Sequence, residues 1–200
     1  MKLKRAPLHV FDKRLKSISA VQRIAEDIDR LEVSSADLKK HYLHQSYIIY
    51  LVASWQIFIE YLASDCFDEI MSFRDTWPFR DKLKSDFDKA RKRFNTPNTG
   101  NIDALIEAAT GKKKIIDKCK WPNFSNEKVK NRLSQILSIR HEVAHKTKSV
   151  KRLSTDINWN HAKFLYNCAC VLNNVLTDYI KEITGTSPFV TVEIKYKDIC

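Results

Sequence analysis

Glycine and proline are scarce, with 3 and 5 in 200 residues. Tight hairpins and sheet turns need such residues, so the chain suits long helices and argues against a β-sandwich or β-barrel. Long apolar runs are also missing. The longest, residues 47–59, is 13 residues with Gln56 inside it and Glu60 after it, whereas a membrane span needs about 20. The basic start, Met1-Lys2-Leu3-Lys4-Arg5, is followed by no apolar stretch of the kind that makes a secretory leader. The expectation is a cytoplasmic protein with no membrane partner. The 5 cysteines are an odd number without regular spacing. Cys168 and Cys170 are two apart and point to different sides of a helix. Neither a zinc framework nor a disulfide framework results, and reduced thiols are expected. No His-Glu-x-x-His run occurs, and no metal or other cofactor is implied.

What is abundant is positive charge. The formal net charge is +11. Residues 112–152 carry 13 Lys and Arg against Asp117, Glu127 and Glu142, a local net charge of +10. So uneven a field suits a polyanion, a nucleic acid or an acidic membrane surface; a solubilising face is the plainer reading. At 44% hydrophobic residues the chain can build an ordinary core.

Apolar residues recur at helical steps. Leu8, Phe11, Leu15, Ile18, Val21, Ala25, Ile28 and Leu31 form one stripe. A second helix, capped near Ser34 and Asp37, should run to about Phe73, and its middle is apolar nearly all round, as in the central helix of a bundle. A charged helix is expected over 81–94, then a loop over 95–101, a short helix over 102–109 closed by Gly111, and an ambiguous stretch to Trp121. Ser125 can cap a helix whose stripe is Val129, Leu133, Ile136, Leu137, Arg140 and Ala144. Ser154 or Thr155 can cap the last long helix, with Ile157, Phe164, Leu165, Cys168, Leu172, Leu176 and Ile183 on its inner side and Gly185 as its stop. Residues 190–196 alternate like a strand without a partner in the chain. The reading is an all-α, up-and-down bundle of four to five main helices over 1–185, with a short extended tail over 186–200.

Chemistry concentrates in Arg140-His141-Glu142-Val143-Ala144-His145. Arg140 interrupts an apolar stripe, where a guanidinium needs a partner; Glu60, flanked by Ile59 and Tyr61, has the converse problem, and either the two form an ion pair across the bundle, the pairing expected here, or each reaches solvent at the edge of its own stripe. His141 and His145 are four apart and share a helical face. Arg140 and His145 are five apart, about 140° around a continuous helix. Either the helix ends near His145 or a second chain completes the site. A third zinc ligand is not evident. On spacing alone, a buried arginine and two surface histidines without a role is the blander reading.

Arg140-His141-x-x-Ala144-His145, late in a helix of a basic helical chain, resembles the Arg-x4–6-His motif of the HEPN superfamily. Trp55-Gln56-Ile57-Phe58-Ile59-Glu60-Tyr61 on the central helix, and Thr96-Pro97-Asn98 ahead of a short helix at Asn101-Ile102, are similar to its RiboL-PSP branch. The resemblance covers roughly residues 8–185. It implies a dimerising helical bundle in which two motifs face each other and cut RNA without metal, as toxins of toxin–antitoxin pairs or phage-defence effectors do. The implied roles are His145 as general acid and base, Arg140 on the phosphate, and His141 as a further contact, with Glu60 in support. Lys146, Lys148, Lys151 and Arg152 would guide the RNA. Expected partners are RNA, a second copy of the chain, and a cognate antitoxin or defence protein. Non-catalytic members that only bind RNA or a protein are the alternative.

Overall fold

The computed structural model describes residues 6–31, 33–73, 78–145 and 153–194. Among the described residues six α-helices follow one another: α1 (Pro7–Arg30), α2 (Ala36–Phe73), α3 (Arg80–Arg93), α4 (Thr99–Thr110), α5 (Asn126–His145) and α6 (Thr155–Thr184). One 3-10 turn, Ile115–Lys118, joins α4 to α5. The all-α bundle read from the periodicity is the fold found.

α2 is the axis. It packs against α1, α4, α5 and α6. Tyr47, Ile48, Leu51, Trp55, Phe58, Ile59 and Leu62 are buried along its length. Phe11 of α1 meets Trp55 and Phe58 with ring centroids 6.0 and 5.3 Å apart, so the first helix is fixed to the second by aromatic packing. α2 is also the one described helix long and apolar enough to cross a membrane, but 56% of its apolar window is buried inside the bundle, as in a core helix.

Local chemistry sets the helix ends. Asn98 accepts the amide hydrogen bond of Asn101 at 2.8 Å and caps α4. The Ser125 and Ser154 hydroxyls accept from Lys128 and Ile157, each at 3.3 Å. Gly111 and Gly185 close α4 and α6 in the left-handed conformation, at φ of 78° and 75°, which glycine adopts without a Cβ penalty.

Three expectations on the long helices need correcting. Leu31, Ile157 and Ala144 belong to the expected apolar stripes, yet all three are exposed. In α5 the buried set is Val129, Leu133, Ile136 and Ile139. The stripe turns toward Ile139, and Ala144 is left facing water. In α6 burial begins one residue later, at Asn158.

The tail is not a strand within its described part, up to Ile194. It lies along its own α6 instead. Phe189 is buried in the core. The Asn173 side chain donates to Val190 O at 3.0 Å. Asn174 makes two bonds to Val192, donating to its carbonyl at 2.8 Å and accepting from its amide at 2.9 Å. A side-chain amide thus does for Val192 what a neighbouring strand would have done, and no second chain is needed to satisfy that peptide.

Candidate active site

Three elements meet around Arg140. α2 supplies Ile49, Ala53 and Gln56, the 95–97 loop supplies Asn95, Thr96 and Pro97, and α5 supplies Leu137, Arg140 and His141; together they line a recess of about 130 Å³. The loop is pinned there. Pro97 is buried, Thr96 O accepts from the Asn101 side chain and the Asn98 amide at 2.8 and 2.9 Å, and Gln56 reaches the carbonyl of Phe94 at 3.4 Å. Arg140 is half-buried because α5 turns its apolar stripe toward Ile139 one position before it.

The histidines continue from this recess. His141 lines it, and its ring lies 4.6 Å from that of His145, centroid to centroid. Both histidines are exposed. His145 is not among the residues that line the recess. A single chain therefore brings Arg140 to His141 and His141 to His145, but not His145 into the recess beside the guanidinium. α5 is described as far as His145.

The expected Glu60–Arg140 ion pair is not made among the described residues. Glu60 accepts instead from Gln56, one turn earlier on α2, at 3.0 Å. It is Gln56, not Glu60, that reaches the recess. Gln56 and Thr96 enter the sequence reading only as parts of the stretches that carry the resemblance, and Asn95 only as the start of a loop; none was expected to line the site. The Asn-rich loop was legible as a loop, but no local signal says that it folds onto α5. Lys146, Lys148, Lys151 and Arg152 lie outside the described residues.

The basic run also divides. Lys113 faces Glu107 at 3.7 Å, and Lys130 binds Asp117 at 2.6 Å, which holds the Asp117 carboxyl below its ordinary range. Lys112 sits over the Tyr179 ring, 4.0 Å from its centroid. Lys112 and Lys113 follow α4, and Lys130, in the second turn of α5, is ten residues, or about 15 Å of helix, from Arg140.

Two further features lie away from the recess. His161 is buried, and neither ring nitrogen has a hydrogen-bond partner among the described residues. Burial, and then the charge of Arg132, push its pKa down to about 4. A larger cavity, about 630 Å³, opens between α1, α6 and the tail, lined among others by Lys16, Trp159, Tyr166 and Ile194. None of the site residues expected from the sequence lines it. Cys66, Cys119, Cys168 and Cys170 are buried and free, and burial raises each thiol pKa, that of Cys119 to about 12. No cluster of three metal-ligating side chains occurs among the described residues.

The profile of the RiboL-PSP-HEPN family matches residues 10–182, which reaches from the first turn of α1 to the last of α6. The chain belongs to the RiboL-PSP-HEPN family. No curated protein and no solved structure matches it. HEPN membership points to a nuclease-type, RNA-related function. The match includes Arg140, His141 and His145, as well as Gln56 and the 95–97 loop that build the recess.

Proposed function

We propose that this HEPN protein is a metal-independent endoribonuclease whose site is completed by a second copy of the chain. The observation that carries the reading is the recess itself. A half-buried guanidinium without a carboxylate partner among the described residues stands beside a solvent-facing pair of histidines. RNA brings its own nucleophile, the 2′-hydroxyl. One imidazole takes its proton and another protonates the departing 5′-oxygen. The guanidinium stabilises the charge that grows on the phosphate and does not itself titrate. His145 is the acid–base group, Arg140 the phosphate ligand and His141 a contact between the two. Glu60 acts through Gln56, which it anchors. Lys146, Lys148, Lys151 and Arg152, the basic residues that follow His145 in sequence, would guide the strand.

Two protomers supply what one lacks, since a facing copy can bring His145 to the other chain's Arg140. An exposed apolar face of α2 favours such pairing. Tyr42, Ile49, Tyr50 and Tyr61 are 60%, 38%, 56% and 48% exposed. On an ideal helix they fall, with Ala53, within about 120° of one another. Ile49 and Ala53 are themselves walls of the recess, so the apolar face and the candidate site adjoin. Contiguous exposed apolar surface of this kind marks association sites. A toxin or phage-defence role, with a cognate antitoxin or defence partner, is the biological setting we propose for such an enzyme.

The test is cleavage of a short single-stranded RNA in EDTA. The native chain should cut it, His145→Ala should not, and RNA with a 2′-deoxy residue at the cut position should survive. RNA that is bound but left whole by the native chain would leave a non-catalytic RNA- or protein-binding domain as the function.

A further inference from the structure

The recess needs a route by which a polyanion reaches it, and its walls are poor in positive charge. Between Lys40 and Arg74, α2 holds no Lys or Arg. α4 holds none either, and α5 has only Arg140 after Arg132. The exposed flank of α2 is apolar and tyrosine-rich. Among the described residues, only one wall leads to cations. The 95–97 loop follows directly on the C-terminal turn of α3, which ends in Arg91, Lys92 and Arg93.

These three side chains are exposed, and none makes an ion pair among the described residues. Their place is fixed from both sides. Leu83, Phe87, Ala90 and Phe94 form the apolar stripe that holds α3 to the bundle, with Phe87 stacked on Phe67 at 4.4 Å. Phe94, the next residue, is 5% exposed, and its carbonyl accepts from Gln56. Arg93 is two residues from Asn95, so their Cα atoms are at most about 7 Å apart. On helical spacing Arg91 and Arg93 flank the stripe and Lys92 lies opposite it. The helix dipole favours some positive charge at a C-terminus. It does not call for three adjacent cations, unpaired among the described residues, in the turn that leads into the loop walling the recess of Arg140.

We propose that Arg91, Lys92 and Arg93 form a phosphate-binding ramp that holds the backbone of single-stranded RNA on its way to Arg140. This rests on the ribonuclease reading for the identity of the polyanion, but it assigns a separate binding site on a different helix from the motif. The ramp makes contacts to phosphate alone, so it confers affinity and register and no preference for a base. Arg140 then takes the scissile phosphate.

The experiment uses the full chain carrying His145→Ala, which binds without turnover, and a labelled 20-nucleotide single-stranded RNA. The dissociation constant is measured across a series of KCl concentrations with and without R91Q/K92Q/R93Q. Glutamine keeps the helix propensity and removes only the charge. Each phosphate contact on a single strand contributes about 0.7 to the slope of log K against log salt. Loss of three contacts should therefore lower the slope by about 2. K113Q/K118Q/K120Q, an equal loss of charge at the far end of the bundle, should leave it unchanged. On the active chain the α3 triple variant should raise KM and keep kcat at saturating RNA. An unchanged slope in the α3 variant, or an equal fall in the control, overturns the ramp. The two proposals fail separately. Cleavage with no slope change keeps the nuclease and removes the ramp; a slope change in a native chain that binds RNA and never cuts it keeps the ramp and removes the nuclease. A chain that binds no RNA overturns both.

Discussion

The two ends of α5 use similar residues in opposite ways. At the start of the helix Asn126 and Lys130 are committed to partners within the chain. The Asn126 side chain donates to the carbonyls of Ile116 and Cys119. Asp103 accepts from the Ile116 amide at 2.9 Å, and Lys130 is bound to Asp117. Trp121 and Phe124 stack at 4.8 Å and lean on Phe164. At the other end Arg140, His141 and His145 make no ion pair among the described residues, and two of the three face solvent. A polar side chain that closes a loop or satisfies a buried carbonyl is already committed. One that is left half-buried and unpaired, at a tolerable cost in stability, is free to act on a ligand. The difference separates scaffold from site along a single helix of 20 residues.

Substitutions at the two ends should separate activity from stability. The largest effect is expected at the free end. His145→Ala should lower kcat by about 10²–10⁴, the range for loss of a general acid or base, and Arg140→Ala by about 10²–10³ through loss of charge stabilisation. Neither should lower the melting temperature; a His145→Ala protein that unfolds early would place the imidazole with the scaffold.

Next comes acid. His161 packs on the core side of α6 and feels the charge of Arg132, from the first half of α5. Its folded pKa of about 4 lies below the unfolded value of 6.5, so the folded chain holds it neutral while the unfolded chain takes up a proton. The stability it contributes is complete above pH 6.5, falls as pH drops through the window, and is gone below 4. The full shift corresponds to roughly 3 kcal/mol. Urea unfolding at pH 7 and pH 4.5 should show most of that loss, and His161→Phe should remove its share of the pH dependence. An identical pH slope in the variant would refute the assignment.

Asn126→Ala should follow, costing about 1–3 kcal/mol by leaving the Ile116 and Cys119 carbonyls short of donors. Its kcat should be that of the native enzyme at a temperature where both are folded. The smallest effect belongs to Lys130→Ala, because an exposed surface pair adds little; thermal melts should not distinguish it from the native chain.

Much of this was legible in the order of residues. Few glycines, apolar steps of three and four, and capping serines at 125 and 154 lead to the helices found. Gly111 and Gly185 stop where a left-handed residue is required. The motif residues could be named because an arginine in an apolar stripe and two histidines one turn apart are local patterns. What was not legible depends on contacts between distant segments. Glu60 and Arg140 looked like mutual partners because each interrupts an apolar run. The Glu60 carboxylate instead accepts from Gln56, one turn earlier on the same helix, a local pair whose spacing the sequence does contain. The wall at 95–97 is set by Asn101, Pro97 and Gln56 acting together. The tail reads as an orphan strand because an alternating pattern implies a β partner, whereas Asn173 and Asn174 of α6 supply the bonds.

The central claim is that two chains together make one catalytic site, and dilution tests it most directly. Cleavage per chain should be followed across protein concentrations that span dimer dissociation, with the dimer fraction measured in parallel by sedimentation. The account predicts that activity per chain falls in step with the dimer fraction, and that Ala53→Arg, which places a charge on the exposed face of α2, is both monomeric and inactive while folded. A monomer that cuts RNA at the full rate per chain would contradict it.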